Sequence, residues 1–271
     1  MATDFLNRII EQKGQDIAQA RKVFAESRLE ELARQRQDFR SLYASLAREG
    51  AGANIIAEIK RASPSKGDIC ADLDAADAAC QYEKGGAAAV SVLTDTTFFK
   101  GHLDDLWAAR SACALPVLRK EFIISRYQVY EAAAAGADAI LLIVRILSRE
   151  KLDQLYALCR KLGMDALVEI HSPEEACIVA ASDVRLVGIN NRNLNSFETD
   201  IAVAMELVSK LGPGQLPVAA SGISGPDDVR RNLSFGIRNF LVGESIVRAE
   251  DSARFIEELK AAGASSGGAV E

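Results

Sequence analysis

The chain has 271 residues, of which 49% are hydrophobic and 26% are charged, and its formal net charge is −6. This length suits a single domain with a large core, and the apolar fraction is too high for a disordered chain. The acidic balance and the lack of a basic patch with interleaved aromatic residues argue against nucleic acid as a partner.

Residues 1–13 mix charged with apolar side chains and lack the apolar run of a signal peptide. Apolar runs such as residues 139–144 are far too short to cross a bilayer. We therefore expect no membrane partner and a cytoplasmic location. The cysteines form an odd-numbered set without a CxxC pair, which predicts reduced thiols and neither a disulfide framework nor a zinc site. They are Cys70, Cys80, Cys113, Cys159 and Cys177.

Residues 1–49 are charged and helix-prone and contain no strand candidate, which predicts two or three helices packed on the rest of the molecule. From residue 54 onward, short apolar runs alternate with longer segments of helical period, a pattern typical of repeated βα units around a parallel sheet. Eight strands are predicted, at 54–60, 88–93, 116–122, 139–144, 165–170, 186–190, 217–221 and 239–243.

Between these strands the period predicts helices, and glycines that would end a helix precede several of the strands. Eight parallel strands with short connections favour a closed (β/α)8 TIM barrel, because an open sheet would leave two edges. A doubly wound open sheet is the alternative. Clear helix candidates lie at 74–84, 126–135, 149–162 and 226–235.

The expected organisation is one domain over residues 1–271. Within it, we expect an N-terminal helical extension at 1–49 and the barrel at 50–260. The segment 261–271 is rich in Gly, Ser and Ala, which is typical of a disordered tail.

In a barrel of this kind the active site lies at the carboxyl ends of the strands, so polar residues there are candidates for chemistry. The first strand places Glu58 and Lys60 on one face, where two charges require a partner or a task. We interpret both as candidate catalytic residues; a mutual ion pair that closes the barrel top is the alternative. The loop that follows contains Ser63 and Pro64, in a sequence that alone fits any turn.

The third and fifth strands end in further titratable side chains. Lys120 shares a face with Phe122, and a lysine with a lowered pKa in such a mouth can act as an acid or form a Schiff base. A solvent-exposed lysine is the alternative. We expect Glu169 and His171 on opposite faces of the fifth strand, with Glu169 as a candidate general base and His171 as a supporting or capping residue.

A polar cluster ends the sixth strand, where Asn190 and Arg192 are placed to orient a carbonyl, hydroxyl or carboxylate. A plain Asn-rich turn is the alternative. The chain has two histidines, His102 and His171, and no strand end offers a histidine-rich triad. No metal site is therefore expected.

Small residues end the last two strands, as Ser221-Gly222 and Gly243-Glu244. Such residues leave backbone N–H groups open, and phosphate groups in barrels often bind at this pair of strands, where a short helix can also begin. The two segments together predict a phosphate site.

These residues resemble the indole-3-glycerol phosphate synthase family. The signature IAEIKRASPSKG of that family is intact at 56–67. The similarity extends over the chain to about residue 260, without a fused second barrel, and segment 5–22 is similar to the family's helical extension over the barrel mouth. Further matching segments are 91–95, 98–101, 118–122, 127–128, 166–171, 189–194, 221–223 and 241–244.

The resemblance implies conversion of 1-(2-carboxyphenylamino)-1-deoxyribulose 5-phosphate to indole-3-glycerol phosphate in tryptophan biosynthesis, with release of CO2 and water. Lys120 matches the general acid of the family and Glu169 its base for dehydration, a step that also involves Glu58 and Lys60. Asn190 would position hydroxyl groups. Lys60 and Arg192 would meet anionic groups, and Ser63 would line the substrate site. The residues that would enclose the aromatic ring are Pro64, Phe99, Phe122, Leu141 and Ile143.

No cofactor is expected, because loss of CO2 restores the aromatic ring without an electron sink. The expected partner is the phosphorylated small molecule alone, and we expect a monomer or a weak homodimer.

Four positions depart from the family pattern. Ala220 stands where most relatives carry Glu, Glu121 stands where Asp is common, and residues 125–126 replace a frequent Asp-Pro. The resemblance implies that the carboxylate missing at Ala220 contacts the reacting region, so its absence affects the expected rate or substrate. Two alternative functions therefore stay open. One is another phosphosugar-barrel enzyme, such as an aldolase or isomerase with Lys120 as a Schiff base. The other is a weakly active paralogue that binds the phosphorylated ligand.

Overall fold

The computed structural model describes residues 2–48, 52–193 and 196–263. Helices precede the first strand, as the composition of the N-terminal segment predicts. Ile9 and Ile17 of the first helix are buried, so this helix packs against the rest of the molecule. The helices of this segment in the described residues are α1 (Ala2–Val23), α2 (Glu26–Gln35) and α3 (Leu42–Leu46).

Eight parallel strands close into a barrel, and two short strands pair as an antiparallel hairpin beside it. In chain order the strands are β1 (Asn54–Ile59), β2 (Ala62–Ser63), β3 (Gly67–Asp68), β4 (Ala89–Leu93), β5 (Val117–Lys120), β6 (Ala139–Ile143), β7 (Asp165–Ile170), β8 (Leu186–Asn190), β9 (Leu216–Ala220) and β10 (Asn239–Val242). The barrel order is β1-β4-β5-β6-β7-β8-β9-β10, closed by pairing of β10 with β1. The predicted (β/α)8 barrel is confirmed, and the open-sheet alternative is wrong.

Capping side chains account for where several of the connecting helices begin. Asp74, Ser125 and Asp251 each accept a hydrogen bond from a backbone N–H of the helix that follows. Gly163 ends one helix with a φ of 92°, a left-handed conformation that glycine adopts without strain. In the described ranges these helices are α4 (Ala75–Lys84), α5 (Thr96–Phe99), α6 (Leu103–Ala112), α7 (Arg126–Ala134), α8 (Arg149–Leu162), α9 (Pro173–Ala180), α10 (Ala202–Leu207), α11 (Pro226–Leu233), α12 (Glu244–Arg248) and α13 (Ser252–Ala261).

The buried apolar side chains form two clusters, one between the strands and the helices and one inside the barrel. Leu42 and Leu46 of α3 belong to the interior cluster. The carbonyl of Leu46 accepts a hydrogen bond from Asn54 at the start of β1, and the backbone N–H of Tyr43 donates to Asp165 at the start of β7. Helix α3 therefore closes the amino-terminal end of the barrel, which leaves the opposite end for a site.

Differences from the predicted elements lie at strand ends. Strand β9 ends at Ala220, one residue early, because Ser221 has a φ of 68° and leaves the extended conformation. The loop predicted after the first strand contains the β2–β3 hairpin, in which Gly67 takes a φ of 65°.

None of the helices in residues 2–48, 52–193 and 196–263 is long and apolar enough to cross a membrane. The predicted tail lies mostly outside the described residues, which end at Gly263, and the proposed division into extension, barrel and tail stays a prediction.

Candidate active site

A cavity of about 600 Å³ opens at the carboxyl ends of the barrel strands. All sixteen candidate site residues line it, which is the convergence that the barrel architecture predicts. They are Glu58, Lys60, Ser63, Pro64, Phe99, Lys120, Phe122, Leu141, Ile143, Glu169, Asn190, Arg192, Ser221, Gly222, Gly243 and Glu244.

An ion pair stands at the end of β1, where Lys60 Nζ lies 2.7 Å from Glu58 Oε1. The two side chains are 15% and 6% exposed. This is the ion pair considered as the alternative, yet it does not close the barrel top, because both side chains line the cavity. The pair therefore presents an acid and a base to any molecule bound there.

A second cluster joins β5, β7 and β8. Lys120 Nζ lies 3.2 Å from Glu169 Oε2, and Asn190 Nδ2 donates to Glu169 Oε1 at 3.1 Å. Asn190 Oδ1 in turn accepts from the backbone N–H of Arg192 at 3.0 Å. Lys120 is only 16% exposed, so the solvent-exposed lysine alternative is wrong.

The environment of Glu169 opposes its protonation. Burial alone raises the pKa of this carboxyl, but Lys120, His171 and Asn190 outweigh burial and hold the pKa well below its usual range. Glu169 is therefore ionised near neutral pH while its three partners are in place. Loss of the positive charge on Lys120 would make Glu169 a stronger base.

His171 lies on the same side of β7 as Glu169, contrary to the prediction. The ring Nε2 is 3.3 Å from Glu169 Oε1, so the two side chains meet. The prediction of opposite faces was wrong because side chains two residues apart in a strand point to the same side. His171 is buried behind Glu169 and is not among the residues that line the cavity.

Aromatic and aliphatic side chains form one wall of the cavity. The rings of Phe99 and Phe122 lie 6.1 Å apart at an angle of 38°. Phe99 is carried by α5, whose first turn is capped by Asp95 through the backbone N–H groups of Phe98 and Phe99. Leu141 completes this wall from β6. The arrangement suits a flat apolar ring.

Residues of α1 that were not predicted as site residues cover the cavity. Phe5, Leu6 and Ile9 line it from above. The ring of Phe5 contacts those of Phe98 and Phe197, with centroids 5.6 Å and 5.3 Å away. The signal available in the sequence was the spacing of Phe5 and Ile9 by four, which places them on one helix face.

Lys13 also went unselected, although it lies one further turn along the same face of α1. It is 4% exposed, and its ammonium lies 2.6 Å from Asp95 Oδ2 and 3.3 Å from Glu121 Oε1. Burial lowers the pKa of Lys13, but Glu121, Asp95 and the nearby Asp16 outweigh it and raise the pKa overall. One buried cation thus ties α1 to the segments that carry Phe99 and Lys120.

The loop after β9 turns sharply at two consecutive residues of positive φ, Ser221 at 68° and Gly222 at 81°. A Cβ on Gly222 would lie 2.6 Å from Thr199 Cγ2, so this position has room only for glycine. Ser245, after β10, donates a hydrogen bond to the carbonyl of Ile223 at 2.6 Å. The two loops are therefore joined, and both border the cavity.

Two more features complete the rim. Arg192 donates to Ser65 Oγ at 2.5 Å, which links the loop after β8 to the β2–β3 hairpin. Ala220 is 3% exposed and lines the cavity beside Asn190, its register partner on β8. Within the described ranges, no group of three or more His, Cys, Asp or Glu side chains is arranged to hold a metal ion.

The fold and the site together define a (β/α)8-barrel enzyme with acid–base groups at the mouth and paired small-residue loops of the kind that bind phosphate. The chain belongs to the indole-3-glycerol phosphate synthase family, whose model matches residues 6–259. An indole-3-glycerol phosphate synthase of Desulfosudis oleivorans is 55% identical over 258 residues, which cover 94% of this chain and 98% of that protein. The synthase of Syntrophobacter fumaroxidans is 48% identical, over 95% of this chain and 97% of that protein. The synthase of Bordetella pertussis is 44% identical, over 92% of this chain and 95% of that protein.

Among solved structures, the thiamine phosphate pyrophosphorylase of Pyrococcus furiosus is similar with a TM-score of 0.60 and 16% identity. The matched region covers 84% of this chain and 100% of the pyrophosphorylase chain. The 3-hexulose-6-phosphate synthase of Salmonella typhimurium has a TM-score of 0.59 and 14% identity, over 76% and 96% of the two chains. At these identities the similarity concerns the fold alone.

Proposed function

We propose that this chain catalyses ring closure, decarboxylation and dehydration of 1-(2-carboxyphenylamino)-1-deoxyribulose 5-phosphate to indole-3-glycerol phosphate. Membership of the synthase family supports this activity. The observation that carries it is the cluster of Lys120, Glu169 and Asn190 in a cavity with an apolar wall.

Substrate binding uses three parts of the cavity. The phosphate binds at the backbone N–H groups of the loops that contain Ser221-Gly222 and Gly243-Glu244. The aromatic ring lies against the wall that contains Phe99, Phe122 and Leu141, and Pro64 and Ile143 contact it as well. Lys60 and Arg192 meet the anionic carboxylate, with Ser63 beside them, since a cation offsets the cost of burying this charge.

Ring closure forms a bond between the ring carbon that bears the carboxylate and the ketone carbon. The Lys120 ammonium gives its proton to the ketone oxygen, which becomes a hydroxyl group. The bond to the carboxylate then breaks, CO2 leaves, and the electron pair restores the aromatic ring. Asn190 orients the hydroxyl groups.

Dehydration follows from the change that the first step makes at Lys120. Once Lys120 has lost its proton, it no longer stabilises the ionised carboxylate of Glu169 by charge, and the pKa of Glu169 rises. Glu169 then takes the proton from the carbon next to nitrogen, while the hydroxyl group leaves as water with a proton from the Lys60–Glu58 pair. The Lys120–Glu169 pair therefore serves both steps, whereas the Lys60–Glu58 pair serves the dehydration.

The activity test is incubation of the purified full chain with the carboxyphenylamino sugar phosphate, with the fluorescent indole product as the readout. We expect turnover by the chain alone and a loss of about 10² to 10⁴-fold in kcat for Lys120→Met, because a general acid contributes this much. Folded protein that gives no product at saturating substrate would contradict the proposal, and tight binding without turnover would favour the ligand-binding paralogue.

The aldolase or isomerase alternative has its own readout. A Schiff base on Lys120 would be trapped by borohydride with a keto-sugar phosphate, and mass spectrometry would find the label. We expect no label, because Lys120 acts as an acid in the proposed reaction.

We also propose that the chain works in the cytoplasm as a monomer or weak homodimer, with a phosphorylated small molecule and no nucleic acid as its partner. Its five cysteines are free thiols, which suits a reducing compartment. The net charge of −6 disfavours nucleic acid.

A further inference from the structure

His171 lies between two carboxylates at the end of β7. Its Nε2 is 3.3 Å from Glu169 Oε1, and its Nδ1 is 3.5 Å from Oε2 of Glu175 on α9. The side chain is 3% exposed. Both distances are slightly longer than an ideal hydrogen bond, and neither ring nitrogen hydrogen-bonds to another described group. The two carboxylates are therefore the groups that decide its protonation.

The chemistry of these neighbours favours one form of the imidazole ring. An ionised carboxylate can only accept hydrogen bonds, and a neutral imidazole has one donor and one acceptor nitrogen. A neutral His171 would direct a lone pair at one of its two carboxylates. The imidazolium has two N–H groups and satisfies Glu169 and Glu175 together.

Beyond each of the two carboxylates lies a positively charged side chain. On the cavity side of Glu169 stands Lys120 of β5, together with the uncharged Asn190 of β8. On the far side of Glu175 stands Arg145, after β6, with its Nε 2.9 Å from Glu175 Oε1 and its side chain 28% exposed. Charges of alternating sign thus run from Lys120 in the cavity to Arg145 near the surface.

We propose that His171 is a positioning residue, which stays doubly protonated at neutral pH and keeps the carboxylate of Glu169 ionised and oriented for proton transfer. Burial lowers the pKa of His171, but Glu169 and Glu175 outweigh it and raise the pKa above its usual value, which agrees with the geometry. The catalytic part of this inference rests on the proposed function, whereas the protonation state does not.

The sign of the effect on Glu169 follows from charge. An adjacent cation favours the ionised carboxylate, so removal of His171 raises the pKa of Glu169. A general base must be ionised to act, and the acid limb of the kcat profile should then move to higher pH, by about one pH unit. A purely structural role would lower the plateau and leave the limb in place.

The first experiment is ¹⁵N NMR of the full chain labelled at histidine. The chain has two histidines, and the His102→Asn variant assigns both signals; Asn retains the helix-capping ability of His102, which accepts from the backbone N–H of Asp104. We expect His171 to show both ring nitrogens protonated at about pH 7 and to titrate above the usual histidine range, and Glu175→Gln to lower its pKa. A neutral tautomer at that pH would overturn the proposal, and this holds whether or not the chain is active.

The second experiment compares kcat against pH for the wild type, His171→Gln and the control His102→Asn. Gln retains an N–H near Glu169 without a charge, so it separates charge from hydrogen bonding. We expect the acid limb of His171→Gln to move up and that of His102→Asn to stay. An unmoved limb in His171→Gln, with a melting temperature equal to that of the wild type, would overturn the role assigned to His171.

Discussion

The charged side chains in the site form two ion pairs, Lys60 with Glu58 and Lys120 with Glu169. Each lysine is offset by a carboxylate in the free protein, so neither is an uncompensated buried charge. A bound substrate brings its own anionic groups, for which Arg192 and the backbone N–H groups of the loops are available.

A substitution at Gly243 would test whether the positions of Lys60 and Glu58 matter for the reaction. A Cβ at this position would collide with Glu58 Oε1 and lie 3.0 Å from Lys60 Nζ. In Gly243→Ala both side-chain ends must move, because they are more flexible than the backbone. We expect kcat/KM for the synthase reaction to fall by at least about tenfold, since small displacements of catalytic groups are costly.

The matched control for Gly243→Ala is Gly14→Ala on α1, where an added Cβ meets nothing within 4 Å. We expect its kcat/KM to equal that of the wild type, with a small gain in stability because alanine favours a helix. The interpretation of Gly243 would be wrong if Gly243→Ala kept wild-type kcat/KM.

At the scale of single residues, strand alternation and loop chemistry in the sequence predicted the charged and polar residues and the glycines that line the cavity, whereas Phe99, Leu141 and Ile143 were expected only from the family resemblance. Alternation placed Glu58 and Lys60 together, and they form an ion pair. The same rule, misapplied at His171, hid its contact with Glu169. Contacts to Glu175 lay beyond the sequence, because they depend on how α9 packs on β7.

Among the elements, α1 has a role that its own sequence pattern does not reveal. Its residues Phe5, Leu6 and Ile9 cover the cavity, and Lys13 anchors it to Asp95. A helical pattern shows that one face of α1 is apolar but not what that face covers. The position of α1 over the mouth could be expected only from the family resemblance.

Lys13→Met tests the anchor. The variant leaves Asp95 and Glu121 as buried carboxylates without their cation, at a cost of about 3 kcal/mol in the free energy of unfolding. We also expect KM to rise more than kcat falls, because α1 covers the cavity. Thermal unfolding and steady-state kinetics measure the two effects.

The exposed Lys22→Met on the same helix is the control and should change neither quantity. Because the pKa of Lys13 is raised, its contribution is present throughout neutral pH and is lost only as the pH rises above the ordinary lysine range. A Lys13→Met protein with wild-type stability and KM would show that the ion cluster does not anchor α1.

For the molecule as a whole, the eight-unit pattern favoured a closed barrel, since each unit repeats the same signals, but it left an open sheet as the alternative. Closure itself joins β10 to β1 over a long sequence separation. That pairing brings the loop after β10 next to Lys60, a contact that no local pattern predicts. The site therefore exists only in the complete barrel.

A ligand that bridges the last two strands should stabilise the whole barrel, because it binds the folded chain alone. We expect glycerol 3-phosphate at ten times its Kd to add about 1.4 kcal/mol to the free energy of unfolding. For a chain of this size that is a rise of about 3 to 6 °C in melting temperature. Glycerol, which has no phosphate, should give no shift.

Gly222→Ala should remove the shift produced by glycerol 3-phosphate, whatever the variant's own melting temperature. A side chain there is strained by the φ of 81° and would push against Thr199, so the loop after β9 must change its conformation. The comparison is the ligand-induced shift in each protein, measured by scanning calorimetry over a concentration series. Equal shifts in the wild type and in Gly222→Ala would place the phosphate elsewhere in the cavity, because the substitution alters the loop after β9.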